Sequence, residues 1–210
     1  MTSGYRAEAD ALDAEILRCI ERRSVPDFDD LALRIFAHQL RYNEPYARYC
    51  AAIGVTLGNM PQGFETIPAV PSAAFKEAAL CTFDRATAAL AFRTSGTTAA
   101  TSGTHYMETA TLYDAALLAG FQEAMLAGTN APLRYLLLVP DPSERPSSSL
   151  GYMMREVAKY FGDGREQWFL HGDMLDASGF TAAAREASAQ NVGIAHAAAA
   201  LLFALPMHIH

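Results

Sequence analysis

Arg134-Tyr135-Leu136-Leu137-Leu138-Val139-Pro140, RYLLLVP, is continuous, apolar and closed by proline. A run of this length and composition, bounded by a turn signal, reads as a strand buried on both faces. Its surroundings extend the pattern in both directions. Downstream, DPSERPSSS is a loop rich in turn formers, and LGYMMREVAKYFG is helical up to Gly162. Gln167 to Leu170 (QWFL) is a second strand, Ser178 is placed to cap a helix through about Gln190, and VGIA is a further strand leading into an alanine-rich helix. Upstream, Thr109 or Thr111 is placed to cap a helix to about Ala127, ended by Gly128, and AALAF, ending at Phe92, is a strand. Strands alternating with helices argue an α/β fold with a parallel sheet. In such sheets ligands collect beyond the carboxyl ends of the strands.

The first third reads differently. Leu12, Ile16, Leu17 and Ile20 share one side of a helix over about Tyr5 to Arg23. Asp27 is a cap for the next helix, with Asp30 in its first turn and Leu31, Ile35, Phe36 and Leu40 as its apolar stripe. Pro45 opens a third helix and Gly54 closes it. Pro68 and Pro71 stiffen an extended entry to a helix that Ser72 caps, and Lys76 on that helix is a solvated charge. Tyr42, Tyr46 and Tyr49 are packing residues. The expected fold is therefore α/β, with N-terminal helices followed by a largely parallel sheet flanked by helices. A helical region over residues 1–90 and an α/β portion over 91–210 form one continuous domain.

The chain has 210 residues, is 51% hydrophobic and carries a net charge of −7. Half-apolar composition supplies a sizeable core. The acidic balance, with Lys and Arg scattered, argues against nucleic acid and anionic membrane as partners. Cys19, Cys50 and Cys81 are evenly spaced, but their flanking sequences do not match and no C-x-x-C pair is present. Sparse, odd-numbered cysteines fit reduced thiols in a cytoplasm, each a small core residue. The charged N-terminus lacks the apolar core of a signal peptide. The most apolar stretch, Val192 to Met207, is interrupted by Gly193 and His196 and is too short for a membrane span. His208 and His210 belong to a loose tail. No G-x-S-x-G elbow for a serine hydrolase occurs.

Between the strand at Phe92 and the helix at Thr111 stands Ala91 to His105, AFRTSGTTAATSGTH. A loop leaving a strand presents free backbone N–H groups. Glycine lets a backbone approach a ligand closely, and Ser and Thr add short hydroxyl donors. Together they suit a concave anion site, and triphosphate is a common anion of that size. Ser, Thr and Gly also serve turn chemistry alone. Neither G-x-x-x-x-G-K-[ST] nor G-x-G-x-x-G is present.

FRTSGTT, from Phe92 to Thr98, resembles the phosphate-binding signature of adenylate-forming enzymes. With FDDLALRIFAHQLRYNEPYARYC, ETIPAVPSAAFKEAAL, FRTSGTTAATSGTHYMET and PSSSLGYMM in order along the chain, the sequence resembles acyl-protein synthetases of the LuxE type. The resemblance covers the N-terminal part of that family and implies part of its large N-terminal domain. It implies ATP-dependent activation of a fatty acid to acyl-adenylate, with Mg2+, and transfer of the acyl group to a protein thiol. An acyl reductase or acyl-carrier protein would be the partner. By match of motif, Ser95, Gly96, Thr97 and Thr98 would hold the β/γ phosphates and Thr94 would shape the turn. His105 falls where the family tends to carry a histidine.

Ala99 and Ala100 stand where the family pattern continues with glycine, and no lysine follows before Lys159. The later aromatic-Gly-Thr-Glu motif, the small C-terminal domain with its lysine and the acyl-accepting cysteine have no counterpart. Asp141, Asp163, Asp173 and Asp176 show no metal-ligand spacing, so no metal or catalytic residue is assigned. The chain alone is expected to bind nucleotide weakly and to need a missing C-terminal half for activity. A phenylacetate–CoA-ligase type fragment and a non-catalytic nucleotide- or partner-binding remnant are the alternatives.

Overall fold

A computed structural model describes residues 3–22, 27–94, 102–126, 131–190 and 193–197. The described residues form a mixed α/β protein with seven α-helices. The chain divides into two compact units, Met1–Ala116 and Leu117–His210. None of the described helices is long and apolar enough to cross a membrane.

The first unit begins with α1 (Ser3–Ile20), α2 (Phe28–Tyr42) and α3 (Glu44–Ala52). Asp27 caps α2: its carboxylate accepts the Asp30 N–H at 3.2 Å, satisfying one of the donors every helix start leaves open. Asn43 ends α2 and caps α3 by accepting the Tyr46 N–H at 3.3 Å, with Pro45 in the first turn. Gly54 follows α3 at φ +83°, the left-handed region where a side chain is strained. Phe36, Leu40 and Cys50 are buried together, with Tyr46, Tyr49 and Ile67 packed against them. The tyrosine hydroxyls bond to the extended entry: Tyr46 to the Pro68 carbonyl and Tyr49 to that of Ala69. The next helix, α4 (Ala74–Glu77), is shorter than expected and begins after Ala73, with no side-chain cap from Ser72. Lys76 is exposed.

Two short strands, β1 (Leu90–Arg93) and β2 (Thr104–Met107), pair antiparallel, with Phe92 opposite His105. The strand ending at Phe92 therefore does not open the parallel series that follows. Residues beyond the hydroxyl-rich stretch return beside it as β2, an element the sequence reading omitted. α5 (Thr111–Met125) comes next, and the division between units falls within it.

In the second unit β3 (Arg134–Pro140) occupies the place its sequence demands. Tyr135, Leu136, Leu137 and Val139 are all essentially inaccessible. β3 pairs parallel with β4 (Gln167–His171) and with β6 (Ile194–Ala197), and β4 pairs antiparallel with the two-residue β5 (Met174–Leu175), giving the order β5-β4-β3-β6. α6 (Ser149–Phe161) links β3 to β4 and lays Met154, Val157 and Ala158 on β3; Leu117 and Phe121 pack on the same core. Ser148 caps α6 by accepting the Gly151 N–H at 3.1 Å. α7 (Ala177–Ala189) is capped by Asp176 rather than Ser178. Asp176 accepts the Gly179 N–H, and the Ser178 hydroxyl donates to the same carboxylate. The alanine-rich helix expected after β6 and the His208–His210 tail lie outside the described residues.

Two exposed carboxylates tie the second unit's loops. Glu144 accepts the Gly172 N–H at 2.8 Å and lies 3.2 Å from His171 Nδ1. The Gly172 amide first, then His171, hold its carboxyl below the usual range. The Gly179 amide, then the Ser178 hydroxyl, do the same for Asp176. A carboxyl lowered on folding adds stability that is present above its unfolded value and is lost as pH falls through the folded one. The urea midpoint of this unit is therefore expected to fall as pH drops below about 4. The Glu144→Gln, Asp176→Asn double variant should show a flatter profile; an unchanged slope would refute the assignment.

Candidate functional site

The hydroxyl-rich stretch is carried by the β1–β2 pair. Phe92 is buried and anchors β1, its ring 5.5 Å from that of Tyr113. Beyond Arg93 the two strands are joined by a neck. The Thr94 N–H donates to the Gly103 carbonyl at 2.9 Å, and the Gly103 N–H donates to the Thr94 hydroxyl oxygen at 2.9 Å. One step back, the Arg93 guanidinium donates through Nε to the Ser102 hydroxyl at 2.9 Å. These three bonds join Arg93 and Thr94 to Ser102 and Gly103.

Gly103 serves the neck by its size. A Cβ there would stand 3.1 Å from the backbone of Phe75, tighter than most real contacts, and its φ is not in the left-handed region. The absence of a side chain at Gly103 lets α4 approach. Phe75 also meets the His105 ring, with centroids 4.1 Å apart at 35°. His105 is thus packed on an aromatic face at the strand opposite Phe92.

Of the six candidate residues, Thr94 and His105 are described, ten residues of chain apart and brought to the same end of one hairpin. Ser95, Gly96, Thr97 and Thr98 lie outside the described residues. Arg93 and Ser102 were missed by the sequence reading. The Arg93 side chain is exposed and makes its described bond through Nε.

The four aspartates considered as metal ligands are each committed elsewhere. Asp141 accepts the Ser143 N–H, Asp163 pairs with Arg134, Asp173 pairs with Arg145 and Asp176 caps α7. Among the described residues no group of three or more His, Cys, Asp or Glu side chains is placed to hold a metal ion.

None of the three cysteines is in a disulfide. Only Cys50 is a core residue; Cys19 and Cys81 are partly exposed, a correction to the reading of all three as buried. Burial pushes the Cys50 and Cys81 thiols up, away from the reactive thiolate. Comparison of the chain with protein-family models, with curated proteins and with solved structures finds no match.

Proposed function

We propose that the chain is the phosphate-binding part of an adenylate-forming ligase, resembling the acyl-protein synthetases of the LuxE type. In this reading it comprises part of their large N-terminal α/β domain. The observation that carries the reading is the closed neck. Thr94 and Gly103, which flank the Ser-, Gly- and Thr-rich stretch in the sequence, bond to each other in both directions at 2.9 Å. Donors fixed in advance stabilise developing charge without reorganising, and one well-aimed donor is worth about 3 kcal/mol, or a hundredfold in rate.

The residues present fit a polyphosphate. Ser95, Gly96, Thr97 and Thr98 would hold the β/γ phosphates, and the exposed Arg93 guanidinium stands at the neck. ATP, when bound, supplies the α-phosphate on which a fatty acid carboxylate is activated. Thr94 and Gly103 close the neck. His105, packed on Phe75, fixes β2 against α4. No described residue set fits Mg2+, so none is assigned to it. Acyl transfer to a thiol and the reductase or carrier partner belong to segments with the motifs this sequence lacks.

Titration of the chain with ATP tests the phosphate site directly. ATP is expected to bind more tightly than adenosine, and Thr97→Val with Thr98→Val should weaken ATP at least tenfold while leaving adenosine unchanged. A hydrogen bond to a charged group is worth about 1.5–3 kcal/mol, which sets that scale. Gly103→Leu, which drives a side chain into Phe75, should weaken ATP by opening the neck. Labelled pyrophosphate exchange with a panel of fatty acids should be absent from this chain alone. It should appear when a segment carrying the aromatic-Gly-Thr-Glu motif is supplied. Equal affinity for ATP and adenosine would sink the phosphate site, and no exchange in either case would sink the ligase.

A further inference from the structure

The first unit holds a second feature, a cavity. A cavity of about 540 Å³ is lined by α1, α2, Thr82 and Phe83, the end of β2 and the start of α5. That volume lies in the range of small-molecule sites, about 300–1,000 Å³. Most of its wall is hydrocarbon and aromatic: Leu12, Ile16, Ile35, Met107, Leu112 and Tyr113. Polar side chains interrupt the wall, among them Tyr5, Asp13, His38 and Glu108.

The charges among them do not balance. Glu108 is satisfied, since Arg6 lies 2.7 Å away and the Tyr5 hydroxyl donates to it at 2.9 Å. Asp13 is not: among the described residues no lysine or arginine pairs with its carboxylate. Burial pushes the Asp13 carboxyl up, and the negative charges of Asp10 and Glu108 push it further. His38 is 6% exposed, and its Nδ1 makes no hydrogen bond; the Glu8 carboxylate stands 3.6 Å off. A largely apolar cavity thus contains a carboxylate with no lysine or arginine partner, offset only by the nearby His38 imidazole, whose buried Nδ1 makes no hydrogen bond.

We infer that this cavity binds a small organic ammonium ion with a hydrocarbon or aromatic body, with Asp13 as its counter-ion. The apolar wall takes the body, and the ammonium supplies the positive charge Asp13 lacks. A fatty acid carboxylate is excluded from the same place by Asp13 and Glu108. The site is therefore distinct from any acyl-binding surface of the proposed ligase and stands without it.

Octylammonium, octanol and octanoate share one hydrocarbon body and differ in the head group, so they separate charge from burial. Titrated into the full chain, octylammonium is expected to bind at least tenfold tighter than octanol, and octanoate weaker than both. Asp13→Asn should remove the preference for the amine over the alcohol. It should not lower the melting temperature at pH 7, because the folded state disfavours the charge it removes. Ala116→Phe, which fills the cavity from α5, should weaken amine and alcohol alike. Octanoate binding as well as the amine, an amine preference that survives Asp13→Asn, or binding that survives Ala116→Phe would each overturn the inference. So would the absence of binding by all three probes.

Discussion

Replacing Asp163 by alanine is expected to destabilise the second unit by about 3–5 kcal/mol, read as a lowered urea midpoint. Arg134 opens β3 and is only 6% exposed. Its guanidinium reaches Asp163 at 2.6 Å, just past the end of α6. Removing the carboxylate leaves a buried cation with no counter-charge, which costs far more than the pair contributes. The carboxylate also accepts the Arg165 N–H at 3.0 Å, so the loop after α6 loosens too. Replacing both partners, Arg134→Met with Asp163→Ala, should recover most of the loss, because no charge is then stranded. A double variant no better than Asp163→Ala would show that the loop bond, not the ion pair, is the source.

Leu137→Ala is expected to cost about 2–5 kcal/mol in the same measurement. Leu137 is fully buried at the centre of β3, among Val139, Met154 and Val157. Its neighbours on both sides are strands whose register is fixed by backbone bonds. They have little room to collapse into the space left behind, which puts the loss in the upper half of the range. Met174→Ala in β5 is the control: that side chain is 78% exposed, and its truncation should change the midpoint by less than about 0.5 kcal/mol. Comparable losses at the two positions would contradict the placement of the core.

β3 was readable from RYLLLVP because a strand buried on both faces leaves a continuous apolar run in the sequence. α2 and α3 were readable because Asp27 and Pro45 mark their starts through local chemistry; the caps Asn43 and Ser148 were not named from the sequence. β2 was not. THYM carries no apolar alternation, and it is a strand only because β1 is there to pair with it. β5, two residues long, is likewise made by its partner. At α7 two residues were competent to cap. Asp176 took the role because its longer, charged carboxylate reaches the Gly179 amide, and Ser178 then became a donor to it. Thr94 and His105 were found from a motif. The neck itself was not, since its bonds join residues on opposite strands. The cavity around Asp13 left no trace in any local pattern, because its wall is gathered from residues between Tyr5 and Ala116.

The strand order β5-β4-β3-β6 has a consequence for biosynthesis. β3 is made before either neighbour, and Arg134 must wait for Gly193 and Ile194 before its ladder on that side exists. As translation proceeds, the most apolar segment of the unit leaves the ribosome with both edges unpaired. One edge can pair once β4 has followed, but the other stays open until β6, near the end of the unit, is made. Late non-local pairing of this kind slows folding and exposes sticky surface to neighbouring chains. Overexpressed polypeptide should accordingly partition into inclusion bodies unless synthesis is slowed or a chaperone shelters the nascent strand.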